Sequence, residues 1–133
     1  MIEVIPFESL GRGNYGWLDA QYHFSFARYV NRERMGCPPL RVWNDDALQP
    51  HSGFPMHSHA NMEIITYVRS GAVTHEDSLG NKGRTETGEV QVMSAGSGIV
   101  HSESNKEDEV TTLFQIWIES AVKNVEPRWE TGT

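Results

Sequence analysis

Apolar and polar positions alternate in short runs along this chain, and Gly or Pro breaks each run before a helical period can build. Residues 62–68 (Met-Glu-Ile-Ile-Thr-Tyr-Val) are rich in β-branched and aromatic side chains and end at Ser70-Gly71, which predicts a strand and then a turn. Residues 72–77 lead into Ser78-Leu-Gly-Asn81, a hairpin signal. Residues 89–93 (Glu-Val-Gln-Val-Met) alternate with period two, and the glycines of residues 94–98 mark a tight loop. The longest expected strand covers 110–118 and places Thr112, Phe114, Ile116 and Ile118 on one face. Residues 40–43 (Leu-Arg-Val-Trp) predict a further strand, ended by the turn-former Asn44-Asp45-Asp46. Many short strands with regular turns predict an all-β sandwich or barrel.

The ends of the chain read differently. Tyr22, Phe24, Phe26 and Tyr29 crowd the first forty residues and predict an extended arm whose strands cover one sheet. Residues 124–133, with Pro127 and Trp129, read as a linker-like tail. There is no internal repeat and no low-complexity tract.

Length and charge narrow the function classes. At 133 residues the chain fits one domain with one core. Eleven basic against 18 acidic residues give a net charge of −7, which argues against direct binding to nucleic acid or to an anionic membrane. No apolar stretch is long enough to span a bilayer. An acid stands near the N-terminus where a signal peptide needs base, so a cytoplasmic protein is expected. Cys37, the only cysteine, lies in a Gly-Cys-Pro-Pro turn without a base nearby, and is expected to be structural. No Walker-type loop, dinucleotide fingerprint or Gly-x-Ser-x-Gly elbow is present.

The candidate chemistry lies in two short pairs, His57-Ser58-His59 and His101-Ser102-Glu103. A strand sends residues i and i+2 to one face, so His57 and His59 point the same way, as do His101 and Glu103. If the two strands face each other, three imidazoles and a carboxylate converge on one metal ion. That mixed N/O set suits iron, copper, nickel or zinc and leaves two positions of a six-coordinate ion open. Glu63 shares the parity of His57 and His59 and offers an alternative carboxylate, as a ligand or as a hydrogen-bond partner to a ligand histidine. Local parity with His101 favours Glu103. His75 is expected to be a hydrogen-bonded strand histidine, and His23 and His51 structural or solvated side chains.

At these residues the chain resembles the pirin family of the cupin superfamily. Gly16-Trp-Leu-Asp19 and His23-Phe-Ser-Phe26 resemble the family's opening segment. Gly53-Phe-Pro-Met-His-Ser-His59, with Met62-Glu-Ile-Ile-Thr-Tyr67, resembles its first cupin motif, and Gly88-Glu-Val-Gln-Val-Met-Ser-Ala-Gly-Ser-Gly-Ile-Val-His-Ser-Glu103 its second. Phe114-Gln-Ile-Trp-Ile118 with Glu126-Pro127 resembles the segment leading toward a second domain. The resemblance implies a cupin jelly-roll barrel with metal held by His57, His59, His101 and Glu103. Within a single domain 1–133, residues 1–45 are expected to form the arm and first strands, 46–120 the metal-binding barrel and 121–133 the tail. Iron as Fe(II) is the implied metal, with Mn, Ni, Co, Cu or Zn as substitutes.

Two activities follow from the resemblance. One is a flavonol dioxygenase of quercetinase type, taking dioxygen and a small aromatic substrate, with Glu103 as general base and Phe54, Met56, Met93 and Ile99 lining the pocket. The other is a non-enzymatic, iron-dependent redox sensor or transcription-cofactor-like interaction module. The sequence departs from the family pattern at Ser58, where Pro is usual, and at Ala60, where Arg is usual. The resemblance implies a second cupin that these 133 residues do not include, and self-association into a homo-oligomer, a dimer first, is expected to cover the face it would occupy.

Overall fold

Eleven strands and one short 3-10 turn (Phe7–Ser9) make up the regular structure of the computed structural model, which describes residues 1–133. No helix is long and apolar enough to cross a membrane. The strands form two antiparallel sheets. Seven make the larger one, in the spatial order β1 (Gly11–Asn14), β2 (Leu18–Tyr22), β3 (Leu40–Leu48), β10 (Thr111–Glu119), β5 (Met62–Ser70), β8 (Val90–Ser94) and β11 (Arg128–Gly132). The smaller sheet runs β4 (Ser52–His59), β9 (Ile99–Asn105), β6 (Ala72–Asp77), β7 (Lys82–Glu86).

Side-chain alternation closes the two sheets over one interior. Val42, Asn44, Asp46 and Leu48 point inward from β3, Ile64, Thr66 and Val68 from β5, and Thr111, Leu113 and Gln115 from β10. Leu48, Val68 and Leu113 meet Val73 of the smaller sheet in one cluster, and Ile64 and Met93 meet Ile99 of the smaller sheet in another. Fully burying each such aliphatic side chain contributes about 1.5–3 kcal/mol. The result is the all-β jelly-roll barrel predicted from the short runs and turns. The hairpin at residues 78–81 and the loop after β8 stand where the turn signals put them.

Three local expectations are corrected. Asn44, Asp45 and Asp46 do not turn; β3 runs straight through them. Each pairs with a strand on both sides, Asn44 with Tyr22 and Gln115, Asp46 with Ala20 and Leu113. The two ladders satisfy the backbone, and sheet pairing overrides the local preference of Asn and Asp. The arm does not lie over a sheet. Its strands β1 and β2 extend the larger sheet through hydrogen bonds to β3, and Tyr22, Phe26 and Tyr29 pack together at that end. The tail is not a linker, because β11 pairs with β8 from Arg128–Ser94 to Gly132–Val90.

On β10, Thr112, Phe114, Ile116 and Ile118 do share a face, and it is the outer one. There Phe114 stacks on Tyr67 with ring centres 6.4 Å apart, meets Trp43 edge-on and lies under the Arg69 guanidinium. The buried set is the opposite parity.

Trp129 of β11 folds back over the smaller sheet. Its ring stacks on His75 at 4.8 Å and 8° and lies over Gly83, where a Cβ would collide with the indole. A Trp129→Ala variant should lose about 2–3 kcal/mol of stability in urea unfolding, and an unchanged midpoint would show that β11 adds nothing to the barrel.

Candidate metal centre

One of the two inner strands of the smaller sheet, β9, carries His101 and Glu103 on its buried face. Its neighbour β4 places His57 directly opposite His101, and its neighbour β6 places His75 opposite Glu103 and Asp77 opposite His101. The ladder between β4 and β9 is irregular between Phe54 and His57, where Pro55 has no N–H to give. His57, His59 and His101 come together so that their ligand atoms lie within 4.8 Å of one another, a grouping that could hold a metal ion.

Hydrogen-bond accounting fixes which ring nitrogens are free. Nδ1 of His57 lies 2.7 Å from the carbonyl oxygen of Pro55. A carbonyl only accepts, so Nδ1 carries the proton and Nε2 of the neutral ring keeps its lone pair. A longer chain does the same for His101. Nε2–H of His75 donates to Asp77 Oδ2 at 2.7 Å, which leaves His75 Nδ1 as an acceptor for Nδ1–H of His101 at 3.5 Å. His101 Nε2 is then bare, and it stands 3.0 Å from the bare Nε2 of His57. Two lone pairs at that distance repel unless a cation or a shared proton lies between them. Two nitrogens each about 2.1 Å from one ion and at a right angle to each other are about 3.0 Å apart, so the observed spacing fits neighbouring ligands on a six-coordinate ion.

The surroundings keep His59 and His101 neutral. Burial, with the adjacent His57, His59 and His75, pushes His101 down to about 3. Burial and His57 push His59 down to about 4. Asp77 remains a carboxylate. Burial opposes its charge, but hydrogen bonds from His75, from the Asn81 side chain and from the backbone N–H groups of Asn81 and Leu79 outweigh it and hold its pKa below the ordinary value. His75 is the hydrogen-bonded strand histidine expected. Neither His75 nor Asp77 was legible as support for His101.

Glu103 stands one step back, with Oε1 3.9 Å from His101 Nε2. Two matched arms hold it. Trp117 Nε1–H donates to Gln115 Oε1 at 3.2 Å, which turns the Gln115 amide so that its Nε2 donates to Glu103 Oε1 at 3.1 Å. Trp129 Nε1–H donates to Gln91 Oε1 at 3.2 Å, and Gln91 Nε2 donates to Glu103 Oε2 at 2.7 Å. Gln91, Thr66 and Gln115 form one row across β8, β5 and β10 on the inner face of the larger sheet. Burial pushes the Glu103 carboxyl above its ordinary value, against the hydrogen bond from Gln115 and the nearby histidines.

Glu63 does not share this site. The turn at Ala60-Asn61, where Asn61 has φ +52°, resets the parity between β4 and β5. Glu63 therefore lies on the outer face, where its Oε1 accepts from the Ser94 and Ser120 hydroxyls. His51 pairs with exposed Asp108, and His23 packs on Trp43, both away from the centre.

A cavity of about 60 Å³ adjoins His57, His59 and Glu103, walled by Leu18, Phe26, Phe54 and Trp117 among others. Phe54 lines it as expected. Met56 is on the surface, and Met93 and Ile99 belong to the core, so those three do not wall the cavity. The arm supplies lining in their place. Asn44 and Asp46, expected in a turn, line it too. Burial, together with Glu103 and Asp45, lifts Asp46 to about 7 against the pull of Arg69.

A jelly-roll barrel with histidines gathered inside one sheet is a cupin, and solved cupin domains share this fold. The chain belongs to the pirin family, whose model, described as Pirin, matches residues 6–118. A Pseudomonas aeruginosa protein, provisionally named a quercetin 2,3-dioxygenase, is 63% identical over 129 residues, covering 97% of this chain and 56% of the relative. The Escherichia coli K12 protein named quercetin 2,3-dioxygenase is 49% identical over 131 residues, covering 98% of this chain and 57% of that protein. The Escherichia coli pirin YhhW, solved in complex with nickel(II), superposes with a TM-score of 0.92 at 46% identity, over 95% of this chain and 55% of that one. The chain thus spans little more than half the length of these relatives.

Two predictions test the site's wiring. His75→Phe keeps a ring against Trp129 but removes the acceptor for His101 Nδ1–H, and nickel(II) affinity by calorimetry should fall roughly 10–100-fold; unchanged affinity would show that the relay does not orient His101. Asp46 is raised in the fold, so it favours folding below its unfolded pKa of 3.8 and that contribution is lost as pH rises through about 7. Asp46→Asn should therefore gain stability over wild type between pH 4 and 8, reaching on the order of a few kcal/mol in urea titrations; a difference independent of pH would contradict the assignment.

Proposed function

We propose that this chain is a metal-binding cupin of pirin-type flavonol dioxygenase function, with His57, His59, His101 and Glu103 holding a divalent ion, Fe(II) foremost. The observation that carries this reading is the pair of bare Nε2 atoms of His57 and His101 at 3.0 Å, each fixed by a hydrogen bond behind its ring. Neutral imidazoles and one carboxylate suit Mn, Ni, Co, Cu and Zn as well, so availability decides among them. The nickel(II) complex of YhhW and the names of the two curated relatives support the reading.

When bound, the ion would supply Lewis acidity toward a hydroxyl-ketone and open positions for substrate and dioxygen. The chain's own groups do the rest. Glu103, with its pKa raised by burial, takes the proton of the substrate hydroxyl as general base. Gln91 and Gln115 hold its two oxygens in place for that transfer. Phe26, Phe54 and Trp117 give a flat ring apolar walls and exclude water. Leu18, Tyr22, Phe26 and Phe54 also line an outer apolar pocket of about 270 Å³, so these side chains form the partition between it and the inner cavity. The outer face of the larger sheet, with Trp43, Tyr67 and Phe114, is the surface a second copy would cover.

The test is oxygen uptake by the iron-loaded protein on quercetin, with metal content measured in parallel. Wild type should turn over, and His101→Ala should lose iron and uptake together. Iron bound without uptake would turn the reading to the redox-sensor alternative, and His101→Ala with full iron and activity would remove the site.

A further inference from the structure

Two oxygens on residues that line the cavity have no partner. Asn44 Oδ1 and Asp46 Oδ1 accept no hydrogen bond, although their residues are only 4% and 2% exposed. A buried polar atom left unpaired gives up the hydrogen bonds that water would make to it, so the fold carries a deficit at both positions.

The neighbours cannot supply the missing donors. Asn44 continues the inner row of Gln91, Thr66 and Gln115 onto β3, but the Gln115 amide is already committed to Glu103 and Thr66. On the other side stands Tyr22, whose hydroxyl pairs with Tyr15. Asp46 lies between Ala20 and Leu113, which have no polar side chain. Asn44 and Asp46 are two residues apart on one strand, so both face the interior. They line the cavity from the larger sheet, while His57, His59 and Glu103 line it from the smaller one. Between them the wall is apolar and largely aromatic.

An occupant that satisfies this cavity is flat, apolar through its body and carries polar hydrogens toward β3. We propose that Asn44 and Asp46 form a subsite that reads the ring hydroxyls of a polyhydroxylated aromatic substrate, hydrogen-bonding them across the cavity from His57 and His59. The identity of the substrate ring rests on the dioxygenase reading above, whereas the recognition itself is a binding property and needs no turnover. The pair is then a specificity determinant: a ring of the same shape without those hydroxyls fills the walls but leaves both oxygens unpaired.

The experiment is calorimetric titration of the whole chain, metal-free and nickel(II)-loaded, with quercetin and with 3-hydroxyflavone, which keeps the fused rings and the hydroxyl-ketone but lacks the other hydroxyls. Wild type should bind quercetin about tenfold or more tightly than 3-hydroxyflavone. Asn44→Leu and Asp46→Leu should each reduce that preference several-fold, with 3-hydroxyflavone affinity and metal content within about twofold of wild type. Should a leucine variant fail to fold, Asn44→Ser and the isosteric Asp46→Asn are compared in its place, and a preference reduced in either supports the subsite. Variants that all keep the full preference would overturn the proposal and leave the two oxygens to water. Wild type that binds both flavonols alike, or neither, would overturn it as well. Discrimination without oxygen uptake would remove the dioxygenase reading and leave the subsite standing; uptake without discrimination would do the reverse.

Discussion

Everything at the centre of this barrel depends on where two protons sit. The carbonyl of Pro55 takes the Nδ1 proton of His57, and the Asp77–His75 pair takes the Nδ1 proton of His101. Each bond is made behind the ring, and together they face two lone pairs across 3.0 Å. The arrangement aims both Nε2 atoms at one point, so the orientation a cation would need is prepared by the fold. This explains why β6 and its turn matter although they supply no ligand: Asn81 and the backbone of residues 79 and 81 hold Asp77, which in turn sets the tautomer of His75.

The larger sheet contributes through Glu103. A buried carboxylate needs donors, and here they come from Gln91, Gln115 and Thr66, one from each of three adjacent strands. An amide can present either its oxygen or its nitrogen, and the indole N–H groups of Trp117 and Trp129 remove that ambiguity for both glutamines. The strand β11 thus reaches the centre twice, through the Trp129 indole N–H toward Gln91 and through its ring face on His75. The stability of the barrel's edge and the geometry of its centre are tied together by one side chain.

Much of this was legible in the chain and some was not. Period-two alternation is a local property, so the strands over residues 62–68, 72–77 and 110–118 and the hairpin after Asp77 could be read directly. The i, i+2 pairs His57–His59 and His101–Glu103 were legible for the same reason. Glu63 was misleading because parity carries only as far as the next turn, and Asn61 resets it. Asn44 and Asp46 looked like turn residues because the pairing that keeps them extended comes from β2 and β10, far away in sequence. Gln91, Gln115, Trp117 and Trp129 gave no signal, since a Trp–Gln–Glu chain exists only once four strands are in register. A polar residue at an inward position of an otherwise apolar strand, as with Gln91 and Gln115, was the one trace they left.

X-ray absorption at the metal edge of the iron- or nickel-loaded protein shows whether the facing imidazoles hold a metal. The expected spectrum is that of a six-coordinate ion with three imidazole nitrogens and a carboxylate oxygen at about 2.1 Å. A spectrum with one imidazole or none would contradict it.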